Sequence, residues 1–168
     1  MSTSNPTTVS IREFFSVFER ASASLDLAVL GGLFAEQFLS LSPTSCQLVG
    51  RGQFLAALPA RKKVLESIGA TGTTLADLTE RTIDEQHSWV ETLWVVTYPP
   101  GSDPEARLTL ASGFLLRRQR SEWQIVVYLN HGDVIAAEVR RRAGSGGVDP
   151  LDNHPDNPQG PGRSDDGQ

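Results

Sequence analysis

The residues of this chain best suited to chemistry stand at the end of one segment, SEWQIVVYLNHGDV, residues 121–134. It closes on Asn130, His131, Gly132 and Asp133. Histidine is the side chain that titrates closest to neutrality, so His131 in an apolar pocket could serve as a general base or acid. The same residues also fit a structural role, with a strand-end histidine bonded to backbone, a glycine turn and Asp133 capping a following helix. Asp77 is the second candidate, as an acid tuned by Arg81 or as half of a surface ion pair with it. Glu91 falls on the opposite strand face with His87 and Trp89, which points to surface or interface rather than catalysis. No glycine-rich phosphate loop and no metal-ligand spacing occurs, so neither cofactor nor metal is expected. Cys46 is the only cysteine, which excludes an intrachain disulfide.

Strand periodicity positions these candidates. From Thr73 onward the sequence reads as β, with strands expected over 74–83, 88–98, 107–118 and 123–131. Alternation sends successive side chains to opposite faces. In the last strand Trp123, Ile125, Val127, Leu129 and His131 form the more apolar set and are expected to face inward. If QRSE is the turn before it, Leu110 stands opposite His131 and Phe114 opposite Val127. In the strand before, the matching set is Ser88, Val90, Thr92, Trp94, Val96 and Tyr98. Extending through DEQH aligns a row Asp77–Trp94–Leu110–His131 across the inner face, with Thr79 and Arg81 beside Asp77. Ser112 joins that wall. A slip of one residue in strand 74–83 would instead turn Asp77 and Arg81 outward and Leu78 inward.

Helices precede the strands. Ser10 and Glu13 form a capping box, with Val9 and Phe14 placed as a hydrophobic staple. Ile11, Phe14, Phe15 and Phe18 then share one helical face. A second helix is expected from Ser24 through Phe34, with Gly31-Gly32 marking close packing or a break. FLSLS (38–42) alternates as a short strand. A third helix follows Gly50 with the stripe Phe54, Leu55, Leu58, Leu65 and Ile68, interrupted or kinked at Pro59. A terminal helix is expected over 133–142. Helices first and an antiparallel sheet after them make an α+β arrangement.

Charge excludes some partners. The net charge is −5. Residues 143–168 hold five aspartates against Arg163, a net of −4, which leaves −1 for residues 1–142. The folded part is near neutral and its basic clusters are short, so no nucleic-acid partner is expected. The Gly-, Pro- and Asp-rich stretch 143–168 is expected to be a disordered tail, and its lone His154 makes a poor metal site. No apolar run reaches the ~20 residues of a membrane span. MSTSNPTTVS lacks the pattern of a secretory signal, so a cytoplasmic location without membrane partners is expected.

LFAEQFLSLSP after the paired helices, GRGQFLAAL opening the third, then three long strands and SEWQIV together resemble the NTF2-like superfamily, which includes the SnoaL-like proteins and ketosteroid isomerase. The resemblance covers residues 9–140, so the chain divides into a flexible start (1–8), an NTF2-like domain (9–142) and the tail. It implies a cystatin-like cone, with helices packed on a curved, mainly antiparallel sheet around an apolar pocket. It also implies homodimerisation through the outer sheet face. The isomerase pattern of a first-helix tyrosine and an Asp-Pro pair is not met, since phenylalanines and Ser42-Pro43 stand there.

Two functions follow as expectations. One is a SnoaL-like protein binding a small apolar molecule, or a cofactor-independent acid–base enzyme, with His131 and Asp77 as proton-transfer groups. Its pocket wall would comprise Trp94, Tyr98, Leu110, Ser112, Thr92, Leu129 and Arg81. The other is a non-catalytic dimerisation or interaction module, whose interior would be filled by its own Phe and Trp side chains.

Overall fold

The structure, a computed structural model, describes residues 9–102 and 108–132. Three helices and six strands follow in the order α1 (Ile11–Ser24), α2 (Leu27–Leu33), β1 (Phe34–Ser42), β2 (Ser45–Gly50), α3 (Arg51–Ser67), β3 (Gly72–Thr82), β4 (His87–Thr97), β5 (Thr109–Gln119) and β6 (Glu122–Asn130). The helix expected over 133–142, Asp133 as its cap and the proposed tail lie outside the described residues.

Local chemistry sets the helix boundaries. The Ser10 hydroxyl accepts from the Glu13 N–H, and the Glu13 carboxylate accepts from the Ser10 N–H in return. This capping box starts α1, whose last residue is Ser24. Leu25 follows it in the left-handed region, at φ 57°. The second helix therefore starts two residues later than Ser24 would have set it, with the Asp26 carboxylate accepting from the Val29 N–H. The chain then enters β1 at Phe34, so the expected strand 38–42 is longer and the helix before it shorter. Gly31 permits close packing of α2 on α3, since a Cβ there would lie 3.3 Å from Leu55 Cδ1. Arg51 ties the same junction by donating to the Gly31 and Phe34 carbonyls, which have no partner within so short a helix. Helix α3 continues through Pro59, and its expected stripe is half-buried rather than buried.

The strands form one sheet in the order β2-β1-β6-β5-β4-β3, antiparallel except where β1 runs parallel to β6. Strand β2, SCQLVG, was not anticipated, because it is short and exposed along most of its length. The QRSE turn is as expected, with Arg118 opposite Trp123 and Gln119 opposite Glu122. At the DEQH turn the Asp84 carboxylate accepts from the Gln86 and His87 N–H groups and bonds the His87 ring.

Two bulges reset the faces. In β6 an extra residue between Ile125 and Val127 shifts the register on β5, so that Tyr128 faces Phe114 and Leu129 faces Gly113. In β3 an extra residue between Leu75 and Asp77 lets both Leu75 and Leu78 point inward. The Leu75 N–H at this bulge is taken by the Glu19 carboxylate of α1 at 2.8 Å. Glu19→Ala is expected to cost about 1–3 kcal/mol in urea unfolding, because it strands that donor beneath the helix.

Helices α1 and α3 pack on the concave side, and the core there is aromatic. Phe15, Phe34, Phe38 and Phe114 are all but fully buried. Trp123 at the start of β6 donates its indole N–H to the Val9 carbonyl and holds the approach to α1.

Acid should loosen the capping box and the β3–β4 turn. The Ser10 backbone N–H, then the Ser10 hydroxyl, hold the Glu13 carboxyl below the usual range. The Gln86 N–H, then the His87 ring, do the same for Asp84. Both folded-state values are depressed, so the stability linked to them is present above the unfolded carboxylate range. It is lost as pH falls through the folded values. Thermal melts of Asp84→Asn should therefore lose less stability on acidification than the parent.

Candidate functional site

The bulge in β6 and the register of the β3–β4 turn decide where the candidate groups lie. Past its bulge, β6 turns Val127, Leu129 and His131 to the convex, outer face of the sheet, and Tyr128 and Asn130 to the concave one. The expected inward positions of Leu129 and His131 are corrected accordingly. The β3–β4 hairpin pairs Thr82, not Ile83, with Ser88. Asp77, Thr79 and Arg81 consequently face outward as well, and Leu78 faces inward. The row expected across the inner face is replaced by Asp77–Leu93–Ala111–His131 on the outer one, the last step being the bond from the His131 N–H to the Ala111 carbonyl. Three strand spacings separate its ends, about 14 Å. Asp77 and His131 thus share a row but have no hydrogen bond to each other.

The remaining expected wall residues do face the concave side. Trp94, Thr92 and Ser112 are buried there, and the Trp94 indole N–H donates to Thr92 Oγ1 at 2.8 Å. The Thr92 hydroxyl in turn donates to the Ser112 carbonyl. Thr92→Val would leave the indole N–H without this acceptor, an expected loss of about 1–3 kcal/mol in chemical denaturation. Leu110 and Tyr98 pack with Ala70, Val96 and Leu108 beneath the end of α3.

Aromatic rings occupy the concave side. Phe114 stacks on Tyr128 with centroids 5.0 Å apart and planes 9° from parallel, and meets Phe15 edge-on at 5.0 Å. Phe18 bridges Trp94, Phe34 and Phe114. Phe54 of α3 reaches Phe34 and Phe38. Each such contact adds about 0.5–1.5 kcal/mol beyond its buried area. These side chains hold the helices to the sheet.

The outer face carries an open groove of about 190 Å³, lined by Asp77, Thr79, Glu91, Leu93, Ala111 and His131, with Thr92 and Ser112 at its base. Glu91 is fixed at its rim by the Trp89 indole N–H, which donates to Oε1 at 3.1 Å. The Trp89 ring lies directly over Gly113, where a Cβ would come within 2.6 Å of it. Gly113→Ala should displace this ring from the sheet, visible as a changed tryptophan emission with the fold intact. Among the described residues no group of three or more His, Cys, Asp or Glu side chains could hold a metal ion.

A row of hydrophobic residues crosses the outer face beside the groove. Leu48, Leu39, Val127, Leu115 and Trp89 stand in register across five strands, with an apolar side chain at every position. Leu48 is 68% exposed and Leu93 38%. Alternation had marked Glu91 and Trp89 as surface or interface. The apolar row itself was hidden, because Val127 and Leu129 had been assigned to the core.

Among the described residues no helix is long and apolar enough to cross a membrane. A family model described as "NTF2-like protein (DUF6841)" matches residues 8–133. Among solved structures, an NTF2-like protein with a cystatin-like fold from Novosphingobium aromaticivorans is similar at 20% identity and a TM-score of 0.58, over 75% of this chain and 83% of its own. An NTF2-like protein of unknown function from Shewanella oneidensis is similar at 18% identity and a TM-score of 0.54, over 73% of this chain and 96% of its own. Another, described as of unknown function in nutrient uptake and from Rhodospirillum rubrum, is 18% identical with a TM-score of 0.56, over 75% and 100%. At such identities the likeness shows the fold. Among curated proteins none matches the chain.

Proposed function

From the premise that this chain belongs to the NTF2-like protein family (DUF6841), we propose that it is a non-catalytic self-association module whose two copies pair through the outer faces of their sheets. The row Leu48–Leu39–Val127–Leu115–Trp89 carries this reading. A sheet face set against water ordinarily alternates toward polar residues. Here an apolar row crosses the sheet, exposed at Leu48 and half-buried along the rest, and a contiguous apolar surface of that kind marks an interaction site. The concave side supports the same reading, since phenylalanine, tyrosine and tryptophan rings stand where a small apolar molecule would bind. On this account Asp77 and His131 serve the interface rather than acid–base chemistry.

Size-exclusion chromatography with light scattering tests the reading. The expected mass is twice the 18.2 kDa of one chain, falling toward the single-chain value on dilution. A single-chain mass at every concentration overturns it.

A further inference from the structure

We infer that the acidic groove of one copy receives the guanidinium groups of Arg117 and Arg81 from a second copy, so that the sheet face is complementary in charge to itself. This rests on the self-association reading and adds its register.

Arg117 and Arg81 share the outer face with the groove but lie toward its other end. Arg117 stands in the row of His87, and Arg81 in the row of Trp89. The groove carboxylates stand further along, Glu91 two residues beyond Trp89 and Asp77 opposite Leu93. All four charged side chains are exposed. Among the described residues the side chains of Arg81, Arg117 and Asp77 make no hydrogen bond or ion pair, and the Glu91 carboxylate accepts only from Trp89. The face is therefore basic toward one end and acidic toward the other, with Arg81 at the β3 end of the apolar row.

A two-fold pairing places the same patch on both copies, so residue i meets j and j meets i. Consider an axis lying between the two faces, across the strands, midway between the rows of Trp89 and Glu91. It carries the Arg117 row over the partner's Leu93–Ala111 row, the floor of the groove. It carries Arg81 over the partner's Thr79, between Asp77 and Glu91. The rows of His87 and Leu93 are about 20 Å apart, so the two Arg117 contacts lie at opposite ends of the interface, while the two Arg81 contacts lie near the axis at its β3 edge. The fork of an arginine fits paired carboxylates, and complementary potentials fix register more than they add affinity.

The test uses charge reversal in two separate chains. Arg117→Glu alone places an acid over an acidic groove in both halves of the pair, and Asp77→Arg alone places a base over a base. Each is expected to weaken association at least roughly tenfold by sedimentation velocity, the scale of a like-charge contact. An equimolar mixture should regain a dimer containing one of each, because residue 117 of each chain then faces opposite charge. Arg117→Gln should give an intermediate loss, and raised salt should weaken the parent dimer. Unchanged association in both reversed variants, or a mixture no tighter than either alone, overturns this register while leaving the dimer standing. A monomeric parent overturns the self-association reading itself.

Discussion

Phe114→Ala is expected to cost about 3–5 kcal/mol, the range for a fully buried phenylalanine, against a total stability of about 5–15 kcal/mol for a domain of this kind. The side chain is 1% exposed and sits where three elements meet. It stacks on Tyr128 of β6, meets Phe15 of α1 edge-on and touches Phe18 one turn further along. Because these rings pack around one another and not around open space, little can collapse into the gap, which places the loss at the upper end. Guanidinium unfolding followed by far-ultraviolet circular dichroism measures it. A loss under about 1 kcal/mol would mean that the concave side accommodates change freely, as a ligand cavity does.

The second large effect concerns association. Leu115 lies in β5 within the outer apolar row, between Val127 and Trp89. Leu115→Glu sets a charge in the middle of the paired faces, beside the partner's Glu91 in the proposed register. Central apolar positions carry most of the binding energy of an interface, so a loss of at least about 2 kcal/mol is expected, roughly thirtyfold in dissociation constant. The variant should keep its circular dichroism spectrum, since its inward neighbours Phe114 and Leu116 are untouched. A variant as tightly dimeric as the parent would move the interface elsewhere.

Much of this architecture is legible in the residues. The capping box at Ser10 and Glu13, the QRSE turn and the inward set of β4 follow from local chemistry that tertiary contacts do not override. The register of the flanking strands was harder, for two reasons. The segment QIVVYLN is apolar on both faces, so alternation alone could not show that a bulge turns Tyr128 toward Phe114 and His131 away. In TTLADLTERT the signal was present, because Leu75 and Leu78 are three apart and strict alternation cannot bury both. A bulge can, and Glu19, far away in sequence, supplies the acceptor that holds it. The β6 bulge carried Leu129 and His131, and a one-residue offset at the β3–β4 turn carried Asp77 and Arg81, from the expected pocket to the outer face. That is why they still share a row. The groove that Asp77 and His131 line was not legible, since it lies on the face to which these shifts turned them.

An isotope-filtered nuclear Overhauser spectrum, recorded on a mixture of methyl-labelled and unlabelled chains, tests the central claim most directly, because it reports only contacts between copies. The account predicts intermolecular signals from the methyl groups of Leu115, Val127 and Leu129, with the Trp89 ring among their partners. Intermolecular signals confined to the helices, or none from these three residues in a sample that is dimeric by mass, would contradict it.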